Sequence, residues 1–120
     1  MRFSWCTITV KDMEESLSFY RDIVGLPVSR RFSDRPGADI CFLGEGETQV
    51  ELICEGGRPA ADSPQGISLG FVVESLDAMM AFLGEKGVEI TGGPIQPNPH
   101  IKFIFVKDPD GVIVQFSEYM

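Results

Sequence analysis

Trp5-Cys6-Thr7-Ile8-Thr9-Val10-Lys11-Asp12-Met13-Glu14-Glu15-Ser16-Leu17-Ser18-Phe19-Tyr20-Arg21-Asp22-Ile23-Val24-Gly25 is the stretch on which the fold turns. Its first part alternates like a strand, about Trp5 to Val10. Asp12 followed three residues later by Glu15 has capping-box spacing. Leu17, Tyr20 and Val24 then fall on one helical face, so the spacing predicts a helix to about Val24, with Gly25 just past its end. Three more strands are predicted, at about Pro27–Phe32, Asp39–Leu43 and Thr48–Cys54. Asp34-Arg35-Pro36-Gly37 and Gly44-Glu45-Gly46-Glu47 are the turns between them.

The same order recurs beyond a Gly- and Pro-rich stretch at about 56–66 that reads as a linker. A strand is expected at about Ser68–Val73. Ser75 can cap a helix to about Lys86, with Met79, Phe82, Leu83 and Lys86 at helical spacing and Gly87 ending it. Short strands are expected near Val88–Thr91, Lys102–Lys107 and Val112–Glu118, with Asp108-Pro109-Asp110-Gly111 turning between the last two. Laying Val10 on Val73 also pairs Met13 with Leu76, Leu17 with Met80 and Phe19 with Phe82. The pattern is β-α-β-β-β written twice, an α+β chain with module one at about 1–55 and module two at about 67–120.

Composition bounds what such a chain does. Its 120 residues suit a single domain able to bury a core without disulfide or metal staples. Ten Lys and Arg against 18 Asp and Glu give a net charge of −8, which disfavours nucleic acid and favours cations or a cationic ligand. No apolar run reaches the ~18 residues of a membrane span, and no signal-peptide core follows Met1. A cytoplasmic protein is expected. Cys6, Cys41 and Cys54 are odd in number and far apart, so they read as small packing residues.

Alternation separates two strand faces. Ile8 and Val10, Val50 and Leu52, Leu69 and Phe71, and Val114 and Phe116 form helix-packing faces. The opposite faces mix Trp5, Thr7, Gln49, Glu51, Ser68, Gly70, Ile113 and Gln115. That mixture of apolar and a few polar groups suits a sheltered small-molecule cavity.

Ile8 through Leu26 resembles the opening of the vicinal oxygen chelate superfamily, the glyoxalase, bleomycin-resistance and extradiol-dioxygenase group. Phe105-Val106-Lys107-Asp108-Pro109-Asp110-Gly111-Val112-Ile113-Val114-Gln115-Phe116 is similar to its closing motif. The resemblance implies two tandem βαβββ modules forming a cup-shaped, curved mixed sheet with helices on the outer face. It also implies a divalent-metal site, usually of His and Glu. The matching positions here are Trp5, Glu51, Ser68 and Gln115. Indole has no lone pair for a metal and a Ser hydroxyl is a poor ligand. The expectation is therefore no metal and no cofactor.

These residues point to a metal-independent small-molecule-binding protein that binds or sequesters a planar or cationic compound. Trp5 would stack on that compound, Glu51 would pair with a ligand cation, and Thr7, Ser68, Gln115 and His100 would line the site. The alternative is a glyoxalase-type lyase or isomerase with Glu51 as the base, with or without a divalent metal. A third reading is an interaction domain whose cup is filled. The resemblance further implies a homodimer, in some members module-swapped. Arg30, Arg31 and Arg35 read as solvated charges, with an anionic ligand as their other use.

Overall fold

The computed structural model describes residues 1–46, 48–56 and 66–120. The chain divides into two compact units, Met1–Asp62 and Ser63–Met120. Most of the expected linker lies outside the described residues.

The first unit runs β1 (Trp5–Thr9), α1 (Met13–Tyr20), β2 (Val28–Phe32), β3 (Ala38–Leu43) and β4 (Gln49–Glu55). The second runs β5 (Ser68–Val72), α2 (Leu76–Glu85), β6 (Gly92–Asn98), β7 (Ile101–Lys107) and β8 (Ile113–Tyr119). Each forms its own mixed four-stranded sheet, in the orders β1-β4-β3-β2 and β5-β8-β7-β6. The outer pairs β1–β4 and β5–β8 are parallel and the rest are antiparallel. This is the predicted α+β duplication. An offset of 63 carries β1 onto β5 and the start of α1 onto that of α2, and an offset of 64 carries β4 onto β8.

Both helices begin as the sequence directs. Asp12 accepts a hydrogen bond from the Glu15 backbone N–H at 3.0 Å, and Ser75 accepts one from Ala78 at 3.1 Å. Glu118 adds a second acceptor at the start of α2, taking the Leu76 N–H at 2.7 Å and so tying β8 to the helix. Gly87, at φ +71°, closes α2: Val88 N–H reaches back to Leu83 and Gly87 N–H to Gly84, the Schellman pattern.

Two boundaries differ from the prediction. Helix α1 stops at Tyr20 rather than Val24, because Ile23 and Val24 both donate to the Phe19 carbonyl, at 3.0 and 2.9 Å. The i+5 bond from Val24 widens the final turn and breaks the α ladder before Gly25 reverses the chain at φ +87°. The first strand after α2 is β6 at Gly92–Asn98, and Val88–Thr91 is not a strand. Gly92, Gly93, Pro94 and Pro97 look like strand breakers. They are accommodated because β6 is an edge strand whose register slips twice against β7.

In each unit the helix covers one sheet face. Met13, Leu17 and Tyr20 of α1 are buried with Val50, Leu52, Cys41 and Leu43. In the second unit Leu76 and Leu83 of α2 are buried, as are Ile104, Val106, Val114 and Phe116. All three cysteines are free thiols. Cys41 is fully buried, which raises its thiol above the ordinary range, whereas Cys6 and Cys54 are half-buried. A thiol reagent at neutral pH should therefore modify at most Cys6 and Cys54 in the native protein, and Cys41 only after unfolding. Three rapidly reacting thiols would contradict this packing.

Candidate functional site

The helix-free face of the first unit gathers the chemistry. Register places Thr7 beside Glu51 across β1–β4, and Glu51 beside Phe42 across β4–β3. Phe42 in turn lies beside Arg30 across β3–β2. The row Thr7, Glu51, Phe42, Arg30 thus crosses all four strands on one face. The Thr7 hydroxyl donates to Glu51 Oε1 at 2.5 Å and fixes the carboxylate's direction. Trp5, two residues before Thr7 on the same face, is 52% exposed, and its ring meets Phe42 edge-on with centroids 5.6 Å apart.

Phe42 is buried beneath this group. Phe32 stacks near-parallel to it at 6.2 Å, and the Arg30 guanidinium lies 4.3 Å from the Phe42 centroid and 5.2 Å from that of Phe32. A cleft of about 270 Å³ opens beside Trp5, lined also by Arg2, Ser4, Arg30, Gly46 and Gln49. Gln49 is held by its amide nitrogen, which donates to Ser29 Oγ at 3.2 Å and to the Gly44 carbonyl at 3.1 Å.

The neighbouring arginines separate by strand alternation. Arg31 lies beside Cys41 on the helix-covered face, where it makes a two-armed contact with Asp39 at 2.7 and 3.1 Å and reaches Glu14 at 3.2 Å. This pairing raises the Arg31 pKa and lowers that of Asp39, the hydrogen bond between them being the main cause. Arg35 is likewise paired, with Asp34 at 2.6 Å and Glu55 at 2.5 Å. Arg30 has no carboxylate partner among the described residues.

In the second unit Ser68 and Gln115 share the equivalent face, Ser68 beside Ile113 and Gln115 between Gly70 and Phe105. Ser68 is exposed and Gln115 half-buried. His100 is not brought to them. It sits in the exposed turn before β7, its backbone N–H donating to Asn98 Oδ1 at 2.8 Å. Phe105, the partner of Gln115, lies five residues further along β7, about 16 Å at ~3.3 Å per residue.

Sequence reasoning placed Trp5, Thr7, Gln49 and Glu51 on one face but missed Phe42, Phe32 and Arg30 as their surroundings. The alternation Ala38, Ile40, Phe42 in β3 was the available signal, since those side chains follow Glu51 rather than Leu52.

The donor set does not suit a divalent cation. Of Trp5, Glu51, Ser68 and Gln115, only Glu51 is anionic, and it already accepts from Thr7. Among the described residues no three His, Cys, Asp or Glu side chains cluster in a way that would hold one.

Known proteins agree with the architecture. A probable lactoylglutathione lyase from Synechocystis is 30% identical, covering 92% of this chain and 90% of that protein. Human mitochondrial methylmalonyl-CoA epimerase is 27% identical over 98% of this chain and 73% of its own length. The solved structure of TnmS3, an antibiotic binding protein from Streptomyces, superposes with a TM-score of 0.80 at 22% identity, covering 100% of this chain and 97% of that one. Residues 2–116 match the family description Glyoxalase/Bleomycin resistance protein/Dioxygenase superfamily. With both βαβββ units in place, the chain belongs to that superfamily.

Proposed function

We propose that the protein binds a planar small molecule on the helix-free face of its first unit, without a metal ion. The observation that carries this reading is Trp5. It stands where the resemblance implies a metal ligand, yet it presents an exposed ring above an aromatic base. Thr7 and Glu51 supply the adjacent polar contacts. An antibiotic-binding protein of the same fold makes sequestration a natural role. The same surfaces are proposed to work in a homodimer, which sedimentation would establish.

The test is a thermal-shift screen of planar compounds on protein stripped with a chelator. Hits should survive the stripping, and Trp5→Ala should weaken them by tenfold or more, given that one stacked ring contributes ~1–3 kcal/mol. Hits that vanish on chelation and return with a stoichiometric divalent ion would overturn the reading.

The Thr7–Glu51 hydrogen bond favours a second reading, in which an oriented Glu51 carboxylate takes a proton from a bound carbon acid, as a lyase or isomerase requires. Two activities named among its relatives, lactoylglutathione lyase and methylmalonyl-CoA epimerase, define the substrates to try. Glu51→Gln should abolish any turnover found, and unchanged turnover would remove Glu51 from the reaction.

A further inference from the structure

We infer that the cleft beside Trp5 selects anions: its ligand is a planar carboxylate, with the ring against the Trp5 indole and the carboxylate on Arg30. This deepens the binding role proposed above and rests on it.

Arg30 is set apart by what it lacks. In the first unit the arginines at 21, 31 and 35 each face a carboxylate, at 2.9 Å, 2.7 Å and 2.5 Å. Arg30 faces two phenyl rings instead. Phenyl rings packed against a guanidinium offer it no lone-pair acceptor, so its N–H groups stay available to donate. Those donors form the fork that fits a carboxylate with two parallel hydrogen bonds. The aromatic base therefore packs against Arg30 while leaving its N–H donors to a ligand.

Arg2 lines the same cleft and adds a second positive charge. It too has no carboxylate partner among the described residues. Ser4 and Gln49 supply neutral polar atoms. The overall charge of −8 opposes an anion only weakly at this distance, because salt screens charges beyond ~8 Å at physiological ionic strength. Among the described residues that line the cleft, Arg2 and Arg30 are the charged ones; Glu51, on the same face, is engaged by Thr7 rather than by Arg30. Its volume of about 270 Å³ lies just under the ~300–1,000 Å³ of drug-sized pockets, which suits one or two fused rings.

The duplicated unit shows what the first has gained. Its cleft of about 370 Å³ is lined by Thr91, Gly92, Phe105, Lys107 and Ile113. Register puts Gly92 beside Phe105 where the first unit puts Arg30 beside Phe42, and Ser68 matches Trp5. Its ring is Phe105 and its cation Lys107, so among the described residues it lacks the indole and the two-armed guanidinium fork, and recognition of a planar carboxylate is assigned to the first unit.

The single tryptophan makes the test direct, since the indole N–H of the ¹⁵N-labelled protein gives one NMR cross-peak. The probes are 1-naphthoate, 1-naphthylmethanol and 1-naphthylmethylammonium. Naphthoate should shift the peak saturably and bind about tenfold or more tightly than either analogue. Arg30→Gln should weaken naphthoate by about tenfold and the alcohol by much less. Arg30→Lys should recover only part of the loss, and Lys107→Gln should change nothing. Circular dichroism and melting of each variant check that the fold persists.

Equal or tighter binding of the ammonium, or an Arg30→Gln protein that binds naphthoate normally, overturns the selectivity while leaving planar-ligand binding intact. If no probe moves the indole peak, both this inference and the binding role fail.

Discussion

Replacing Gly93 by alanine should destabilise the protein by about 2–4 kcal/mol, the largest loss expected from alanine at any of the described glycines. Two causes add. Gly93 sits at φ +93°, where a side chain is strained. A Cβ there would stand 2.7 Å from the Phe103 carbonyl oxygen and 3.2 Å from the Ile104 Cα, both backbone atoms of β7. Neither can rotate away, so β6 must detach from its neighbour. Gly87 is the control: its φ is +71°, but nothing lies within 4 Å of an added Cβ. Gly87→Ala should cost only about 1–2 kcal/mol, the conformational part alone. Urea unfolding of both variants measures the difference. Equal losses would show that the close approach to β7 carries no cost.

The second large effect is expected at Asp108. Its Oδ1 accepts the backbone N–H groups of Asp110 and Val112, both at 2.8 Å. Asp108 is only 5% exposed, so water does not replace the carboxylate readily when it is removed. Its backbone also closes the turn, with Asp108 N–H on Val112 O at 2.9 Å and Gly111 N–H on Asp108 O at 3.0 Å. Asp108→Ala leaves two buried donors without an acceptor and should cost about 2–4 kcal/mol. Asp108→Asn keeps an oxygen in place and should cost about half that. Melting temperatures should rank wild type, asparagine, alanine, with the alanine variant lower by roughly 10 °C. An alanine variant as stable as the asparagine one would mean that the side-chain acceptor is dispensable.

The duplication was legible because it is written in strong local signals: Asp12 and Ser75 as caps, Gly87 as a stop, and alternation in the inner strands. Strand β6 was not, because its glycines and prolines argue locally against a strand. Only pairing to β7 makes it one, and pairing is not written in the segment itself. The site was half legible for the same reason. Trp5, Thr7 and Glu51 could be placed on one face by counting along two strands. That Arg30 shares this face while Arg31 leaves it depends on how β2 registers against β3, which no count within β2 supplies. The overall charge pointed to a cationic guest, whereas the cleft itself is lined by two arginines. A net charge averages over the whole surface, and a ligand meets only a few ångströms of it.

That register depends on the extra residue in β2. Between Val28 and Arg30 the strand takes two steps while β3 takes one, from Leu43 to Phe42. Ser29, the residue left over, is anchored by its hydroxyl on the Phe42 carbonyl at 3.1 Å. The segment arriving from α1 can therefore gain or lose a residue at this point, and Arg30 will still face the rings. In evolutionary terms the bulge insulates the binding face from the helix connection. The length of that connection and the placement of Arg30 over its aromatic floor are thereby separate matters.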